Sequence, residues 1–542
     1  ALALVPLAET LGLLWGIVLV ARIGRRNRAD DGLPAARANR DRAGRLIALI
    51  ALGSLLGVLV GFSAAEAFFR FYYARSFMPA GDIRMIRGAL LLFLGDIGAL
   101  ADILTPVTTV LIFALLGAIG SLISYAVSRV TVRLQRPEHG LLLVTLVSLP
   151  LMLTTGPPES LAAKVVTGWY EPEPEFEEVE VADPEPVPAW DDYVFPGLLD
   201  RDIYFFAVEA YGYATVARPE IAAQIDPARE RFEAALDRHG YSVRSSYLES
   251  PVAGGYSWLA EATLLTGQLI NSQERFQTLA ERGFSTLTGM FERAGYYTLT
   301  TRPGTVHASW PEAWDLYRFR EAIVAHDGDF GFEGPWFSYV PVTDQYSIWT
   351  GDRRIRELTA PGGAAAGRPL LVYHQLVSSH TPFNAIPPLI EPWENLGDGS
   401  IYNERANEIA RFDNTWTGGS ELVEGYVAAV TYVVRVLTDY VDRIMDHSRN
   451  PVIVVLGDHQ PQRPIRSPDA FLSVPIHVAS RDESILELFA ARGYEPGMKS
   501  SEEPPHAHMT TFYPMLAELV HETPGPTPGE VAAEPESANT SN

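Results

Sequence analysis

The chain has 542 residues, enough for a membrane region and one large globular domain. Its formal net charge of −24 at pH 7 argues against nucleic acid as a partner. It contains no cysteine, which excludes disulfide bonds, thiolate metal ligands and a cysteine nucleophile. The first residue is alanine, which leaves open whether the natural N-terminus lies further upstream.

Four segments near the start of the chain are long and apolar enough to span a bilayer. They are Ala1–Val20, Leu46–Phe69, Pro106–Val127 and Leu141–Thr155. The alternative, buried core helices of a soluble protein, is disfavoured because all four segments cluster at one end. A further apolar segment, Met85–Leu100, fits either an amphipathic surface helix or a fifth span. We therefore predict a multi-pass transmembrane region over residues 1–155.

Arginine residues are concentrated in alternate loops of this region. Eight lie between the first and second predicted spans, and three follow the third. The positive-inside rule places such loops in the cytoplasm, so the chain after the fourth span should lie outside. We predict a protein of the cytoplasmic (inner) membrane with an extracytoplasmic C-terminal domain.

The remainder of the chain divides by composition. Residues 156–195 form an acidic, Pro-rich linker, and residues 523–542 form a Pro/Glu/Ser/Thr-rich tail that we predict to be disordered. Between them, residues 196–522 alternate apolar strand-like segments with amphipathic helices. This alternation predicts an α/β domain with a mostly parallel sheet sandwiched by helices.

Polar side chains follow three of the predicted strands. Glu209 ends the first strand, His380 follows a strand near residues 369–378, and Asp458-His459 follow Val452–Leu456. Ligands bind at the carboxyl ends of strands in open α/β sheets, and an adjacent carboxylate and imidazole suit Zn²⁺ or Mn²⁺. A capping aspartate at an ordinary turn is the alternative for Asp458.

A glycine-rich loop precedes Ser257 at the start of a predicted helix, Trp258–Leu265. Gly254 and Gly255 let the backbone approach a ligand closely. Ser257 has two possible roles at this position. It is either a helix N-cap or a nucleophile, since a helix N-terminus attracts anions such as phosphate.

These side chains can converge on one edge of the sheet. Two carboxylates, an imidazole and a hydroxyl form a plausible divalent metal site in which the hydroxyl is both ligand and nucleophile. We predict Mn²⁺ or Zn²⁺ as the cofactor, with Mg²⁺ and Ca²⁺ as alternatives.

The strand that ends at Glu209 and three motifs carry a resemblance to a known family. Gly-Gly-x-Ser-Trp-Leu (254–259), Ser-Ser-His-Thr-Pro-Phe (378–383) and Leu-Gly-Asp-His-Gln-Pro (456–461) resemble the alkaline phosphatase/sulfatase superfamily. With spans in front, the chain is most similar to its membrane-anchored branch, the lipoteichoic acid synthases and phosphoethanolamine transferases. The resemblance covers roughly Asp202 to Val520.

The resemblance implies roles for individual residues. It implies Ser257 as the catalytic nucleophile and four metal ligands, namely Glu209, Ser257, Asp458 and His459. His380 is implied to contact the substrate, and we group Gln460 with it as a substrate-binding residue. Trp310 and Glu312 match a Trp-x-Arg pair that binds the head group in the phosphoglycerol branch. The acid in place of arginine would suit a cationic head group such as ethanolamine.

We therefore predict a membrane-anchored, metal-dependent phosphotransferase or phosphodiesterase acting outside the cytoplasmic membrane. Its predicted substrate is a phospholipid-derived head group of phosphoethanolamine or phosphoglycerol type, processed through a covalent phosphoserine, with a membrane lipid or envelope glycan as partner. The alternatives are a sulfatase-like hydrolase and a non-catalytic protein that binds an envelope polymer. Sulfatases require a Cys/Ser-x-Pro-x-Arg motif, and Ser257-Trp-Leu-Ala-Glu261 lacks both proline and arginine.

Overall fold

The computed structural model describes residues 35–73, 77, 82, 99–133, 201–282, 286–305, 316–325, 328–337, 340–415, 418–500 and 507–522. These residues divide into two compact units. The first contains two long helices, α1 (Ala35–Tyr73) and α2 (Ala99–Arg133), and the second contains nearly everything from Arg201 onward. Outside the described residues lie the predicted linker and tail, the first and fourth predicted spans, and most of the segment Met85–Leu100.

Helices α1 and α2 correspond to the second and third predicted spans. Each contains a segment long and apolar enough to cross a membrane, judged by length and composition: Leu46–Glu66, with mean hydropathy 2.4, and Ile103–Ala126, with mean hydropathy 2.2. Two of the four predicted spans are therefore helices of suitable length, and the multi-pass arrangement as a whole remains a prediction.

Small residues bring α1 and α2 into close contact. A Cβ atom added to Gly57 would lie 2.0 Å from the carbonyl oxygen of Leu116, and one added to Gly120 would lie 2.0 Å from that of Gly53. The Ser121 hydroxyl also donates a hydrogen bond of 3.2 Å across the pair, to the carbonyl of Ile50. Close approach at glycine and serine is typical of helix packing in membranes.

A methyl group at the Gly57 contact should separate the two helices. Because the chain lacks cysteine, a Ser54→Cys/Ser121→Cys double variant reports on this contact directly; the two hydroxyl oxygens lie 3.1 Å apart. We expect the double variant to form an intramolecular disulfide on oxidation. Adding Gly57→Ala should reduce the cross-linked fraction severalfold. Adding Gly44→Ala, on the same helix with nothing within 4 Å, should leave it unchanged. Equal cross-linking in the two triple variants would contradict this packing.

The second unit is an alternation of strands and helices. Its strands are β1 (Ile203–Val208), β2 (Ser242–Glu249), β3 (Tyr297–Arg302), β4 (Glu321–Val324), β5 (Leu370–Leu376), β6 (Ala385–Ile386), β7 (Ala410–Arg411), β8 (Asn414–Thr415), β9 (Gly418–Gly419), β10 (Val452–Gly457), β11 (Ser473–Ser480), β12 (Glu495–Pro496) and β13 (Ala507–His508). Its helices are α3 (Ala214–Ala217), α4 (Pro219–Arg238), α5 (Ser257–Thr266), α6 (Gln273–Arg282), α7 (Leu287–Arg293), α8 (Asp344–Thr359), α9 (Ile401–Glu404), α10 (Leu422–Arg443), α11 (Glu483–Ala490) and α12 (Phe512–Glu522).

Among the described residues, nine strands form the main sheet, in the order β12-β2-β11-β10-β1-β5-β3-β4, with β13 also paired to β2. The run β10-β1-β5-β3-β4 is parallel throughout. β11 reverses direction and pairs antiparallel with both β10 and β2. The prediction of a mostly parallel sheet is confirmed, with an antiparallel part on one side.

Strand β1 shows why the sheet is covered on both faces. Tyr204, Phe206 and Val208 belong to one hydrophobic core with residues of α4, α8 and α10. The alternate residues Ile203 and Phe205 belong to a second core with residues of α5, α7, α11 and α12. A strand buried on both faces needs a continuous apolar sequence, which β1 and β10 both have. The predicted helix-sheet-helix sandwich is therefore confirmed.

Candidate active site

The parallel pairing of β1 with β10 brings three predicted metal ligands to one edge of the sheet. Val208 pairs with Gly457 at the ends of the two strands, so the residues that follow, Glu209 and Asp458, lie next to each other. His459 comes directly after Asp458. One ligand atom from each of Glu209, Asp458 and His459 lies within 4.8 Å of the other two.

The Ser257 hydroxyl joins this group. Its Oγ donates a hydrogen bond of 2.7 Å to Oε2 of Glu209 and lies 3.3 Å from Nε2 of His459. The other oxygen of Glu209, Oε1, is 3.2 Å from the same imidazole nitrogen. All four residues predicted as metal ligands are therefore brought together by β1, β10 and the start of α5.

Ser257 is not the N-cap of its helix. The N-cap is Tyr256, whose φ of 68° is left-handed, and Ser257 is the first residue of α5. A bulky residue with positive φ is uncommon and typically marks a functional site or strain. The two preceding glycines also have positive φ, 74° for Gly254 and 140° for Gly255. This sharp turn leads into α5, where the serine side chain is bonded to Glu209.

Hydrogen bonds fix the orientation of Asp458 and His459. The His459 Nδ1–H donates to the carbonyl of Gln460 at 2.9 Å, so Nε2 is the ring nitrogen nearest the carboxylates. Oδ1 of Asp458 accepts from the backbone N–H groups of Ala210 and His459, at 2.8 and 2.6 Å. Such outer bonds orient ligands in metal sites.

The buried charges of this cluster perturb one another. Burial raises the pKa of Asp458, and the neighbouring Glu209 raises it further, to about 8. Burial lowers the pKa of His459, but the two carboxylates outweigh burial and raise it to about 9. For Glu209, burial raises the pKa, but the imidazoles of His380 and His459 outweigh burial and bring it to about 2. The cluster therefore holds protons that a divalent cation would displace.

This donor set fits the predicted cofactor. Two carboxylates, one imidazole nitrogen and one hydroxyl oxygen are ligands that suit Zn²⁺ or Mn²⁺. The raised pKa of Asp458 also fits a metal site, because adjacent buried carboxylates need a nearby positive charge to be ionised together. The four residues therefore fit a divalent metal ion.

Metal binding to this cluster should release protons and weaken at low pH. With the pKa of Asp458 near 8 and that of His459 near 9, both groups carry protons below those values and must lose them to coordinate. We expect the apparent affinity for Mn²⁺ to rise between pH 6 and about pH 8 to 9 and then level off. Calorimetry in buffers of different ionisation enthalpy measures the released protons. A pH-independent affinity without proton release would contradict the assigned ligands.

The residues predicted to bind substrate are found in different places. His380 lies just beyond β5, with Nδ1 bonded to the carbonyl of Thr381 at 2.6 Å, and its charge acts on Glu209. His380 therefore lies near the cluster, and its contact with substrate remains a prediction. Trp310 and Glu312 lie outside the described residues, and their role remains a prediction.

The predicted substrate contact of Gln460 does not fit its surroundings. The side chain is fully buried, and its Oε1 accepts from the backbone N–H groups of Ala214 and Ser467, at 3.1 and 3.3 Å. Its Nε2 donates to the carbonyl of Ala470 at 2.8 Å. A carboxamide bonded in this way to the main chain is not available to a substrate. Gln460 instead ties together the loops around His459.

Asp344 supports the site and was missed in the sequence. It is fully buried and accepts backbone hydrogen bonds from Val377 at 2.7 Å and Ser378 at 3.1 Å. Burial raises its pKa to about 7. Ser379, which follows Ser378 in the chain, donates from Oγ to the carbonyl of Glu209 at 2.6 Å. Asp344 thus fixes the segment that leads to His380.

A buried ion pair anchors the helix that carries Ser257, and it was also missed. Glu261, one turn after Ser257 in α5, accepts two hydrogen bonds from the Arg302 guanidinium at the end of β3; the Nη1–Oε2 distance is 2.7 Å. The Arg302 guanidinium also lies 5.1 Å from the ring centre of Tyr317 and 5.5 Å from that of Tyr373. This pair links the start of α5 to the sheet edge.

Fold and site together define an α/β domain with a carboxylate, imidazole and hydroxyl cluster at the carboxyl edge of its parallel strands. No family model and no curated protein sequence matches the chain. Solved structures do resemble it, and they include members of both groups that the sequence motifs resemble.

Three of these structures illustrate the similarity. The lipoteichoic acid synthase LtaP from Listeria monocytogenes is 15% identical, with 63% of this chain and 76% of that chain covered and a TM-score of 0.39. The integral membrane lipooligosaccharide phosphoethanolamine transferase A (EptA) from Neisseria meningitidis is 12% identical, covers 96% and 95%, and has a TM-score of 0.45. The C-terminal periplasmic domain of EcEptC from Escherichia coli, in complex with Zn, is 11% identical, covers 60% and 84%, and has a TM-score of 0.36. At these values, function has to be argued from the site itself.

Proposed function

We propose that this chain is a membrane-anchored, metal-dependent phosphotransferase or phosphodiesterase that acts on phospholipid-derived head groups outside the cytoplasmic membrane. The observation that carries the proposal is the position of Ser257. Its hydroxyl is hydrogen-bonded at 2.7 Å to Glu209 and lies 3.3 Å from His459, at the N-terminus of α5. A capping serine has no need of a buried carboxylate and imidazole, whereas a nucleophile does.

The metal would be held by Glu209, Asp458, His459 and Ser257. Such an ion supplies positive charge that lowers the pKa of a hydroxyl and offsets charge on a phosphoryl oxygen. Glu209 accepts the Ser257 hydrogen bond and so orients Oγ for attack.

In the reaction, a bond forms between Ser257 Oγ and phosphorus as the ester bond between phosphorus and the lipid glycerol breaks. The N-terminus of α5 offers its N–H groups to the phosphoryl oxygens. We assign His380 to the substrate oxygens. Diacylglycerol leaves with the proton given up by the Ser257 hydroxyl. An acceptor hydroxyl or water then attacks phosphorus, the bond between phosphorus and Oγ breaks, and the proton of the acceptor restores the Ser257 hydroxyl.

The two helices α1 and α2 support the membrane assignment. Their outer surfaces carry large apolar side chains with high exposed fractions, 69% for Leu122, 66% for Ile47 and 65% for Val110. Large apolar side chains with such exposed fractions are unfavourable in water and suit hydrocarbon. With the arginine-rich segments at the start of α1 and the end of α2 in the cytoplasm, we place the domain that carries Ser257 outside.

We infer the identity of the head group from the residues that would bind it. We assign that role to Trp310 and Glu312, and the negative charge of Glu312 favours a cationic head group such as ethanolamine over glycerol. EptA is named as a phosphoethanolamine transferase, and the sequence predicts a head group of phosphoethanolamine or phosphoglycerol type. Both head groups are therefore used as substrates in the test.

Release of diacylglycerol from defined vesicles tests the proposal. The full-length chain, reconstituted with phosphatidylethanolamine or phosphatidylglycerol, should release diacylglycerol from at least one of the two lipids. The release should stop with a chelator and return with Mn²⁺ or Zn²⁺. No release from either lipid with either metal, by a folded protein, would overturn the proposed function.

A further inference from the structure

Ala210, the residue directly after Glu209, has an unfavourable backbone conformation. Its φ is 55°, in the left-handed region that side-chain-bearing residues rarely adopt, and it is only 2% exposed. Two side chains form hydrogen bonds with its backbone. Its N–H donates to Oδ1 of Asp458 at 2.8 Å, and its carbonyl accepts from the Tyr426 hydroxyl at 2.8 Å. The chain turns sharply here, between one proposed metal ligand and the rest of the loop.

Tyr426 lies in the first turns of α10 and is fully buried. Besides its bond to Ala210, its ring packs edge to face on Phe383, with ring centres 5.4 Å apart. Phe383 also has a left-handed backbone, with φ of 56°, and it follows His380 by three residues. Gly425 permits this close packing, because a Cβ atom there would lie 2.3 Å from the Phe383 carbonyl oxygen. One side chain therefore contacts two strained segments that flank the site.

We propose that Tyr426 is a positioning residue for the metal site. Its hydroxyl holds Ala210 in the left-handed conformation and thereby fixes the carboxylates of Glu209 and Asp458 relative to each other. Without this bond, the backbone of Ala210 is drawn toward negative φ. That rotation turns the Ala210 N–H away from Asp458 and changes the orientation of the Glu209 carboxylate. The inference rests on the proposed metal-dependent function.

Tyr426→Phe tests the hydroxyl alone, because the ring and its contact with Phe383 are kept. The carbonyl of Ala210 retains a second donor, the N–H of Gly212 at 2.9 Å, so no buried acceptor is left unbonded. We expect the affinity of the full-length chain for Mn²⁺, measured by calorimetry in detergent, to fall about tenfold. This is the lower end of the range for losing an outer-shell partner of a metal site.

Tyr440→Phe is the matched control. Tyr440 lies on the same helix α10, is equally buried, and donates its hydroxyl to Oδ1 of Asp352 at 3.3 Å. The same atom is removed from the same helix, but the bond lies away from the cluster. We expect Tyr440→Phe to lower thermal stability to a similar extent and to leave the affinity for Mn²⁺ within about twofold of wild type.

Ala210→Gly separates positioning from general packing. Glycine adopts positive φ without a steric penalty, so the left-handed turn no longer depends on the tyrosine. Ala210→Gly alone should bind Mn²⁺ about as well as wild type. Adding Tyr426→Phe in this background should cost less than about threefold, against about tenfold in the Ala210 background.

The results distinguish a failure of the proposed metal-dependent function from a failure of the positioning role of Tyr426. Absence of Mn²⁺ and Zn²⁺ binding by the wild-type chain would refute the proposed function and this inference with it. Wild-type binding together with equal affinities for Tyr426→Phe and Tyr440→Phe would refute only the positioning role. An unchanged tenfold loss in the Ala210→Gly background would refute the claim that Tyr426 acts through the strained alanine.

Discussion

Replacing Ser257 by alanine is expected to reduce diacylglycerol release by about 10⁴-fold or more, because the variant lacks the hydroxyl oxygen that attacks the phosphorus of the lipid. The fold should be nearly unaffected. Ser257 is the first residue of α5 rather than its cap, so the loss of about 1 kcal/mol typical of a removed N-cap does not apply.

Ser257→Thr is the conservative partner of this variant. Threonine also carries a hydroxyl on Cβ, the group that in Ser257 lies 2.7 Å from Oε2 of Glu209, so part of the activity should survive. Thermal unfolding of both variants shows that the fold is kept. If Ser257→Ala releases diacylglycerol at a rate comparable with wild type, Ser257 is not the nucleophile.

Asp458→Asn and His459→Ala should each abolish metal binding and activity. Asparagine retains an oxygen that can accept the backbone hydrogen bonds of Ala210 and His459, so the loop around residue 458 is preserved while the ligand charge is lost. Because burial and Glu209 raise the pKa of Asp458 to about 8, the group is largely protonated at pH 7 without metal. The substitution should therefore cost the metal-free protein little stability.

Metal content and chelator-dependent unfolding measure this effect. A site saturated at about 100 times its Kd stabilises the folded state by about 2.7 kcal/mol, which wild type should lose on chelation and the variants should not. His477→Ala is the control, since His477 is a fully buried histidine on the neighbouring strand β11, bonded to Ser245 and Tyr211. It should retain metal. Metal content equal to wild type in both ligand variants would refute the site.

The parts of the fold predictable from sequence are those with strong local patterns. β1 and β10 are continuous apolar runs because both of their faces are covered, and α10 shows its amphipathic period over a long stretch. In contrast, β3 reads Tyr-Thr-Leu-Thr-Thr-Arg, a short polar sequence whose burial depends on its neighbours in the sheet. It was not predicted, and neither were β4 and α8.

The residues of the site also differ in whether they could be predicted from local sequence. Glu209 and the Asp458-His459 pair were found because each directly follows an apolar strand, and strand ends meet at one edge. The role of Asp344 depends on backbone groups 33 residues away, and that of Arg302 on a glutamate 41 residues away. No local pattern records such partners. The reverse error occurred at Gln460, where a motif position suggested substrate contact but the folded chain surrounds the side chain with main-chain groups.

The central claim is that Ser257 carries the phosphoryl group during turnover. Acid quench of the full-length enzyme during reaction with its lipid, followed by protease digestion and mass spectrometry, tests this most directly. The expected result is a phospho-substituted peptide containing Ser257, whose added mass identifies the head group, and its absence in Ser257→Ala or after chelation. A wild-type enzyme that turns over its lipid while the modification is found on another residue would show that Ser257 is not the nucleophile.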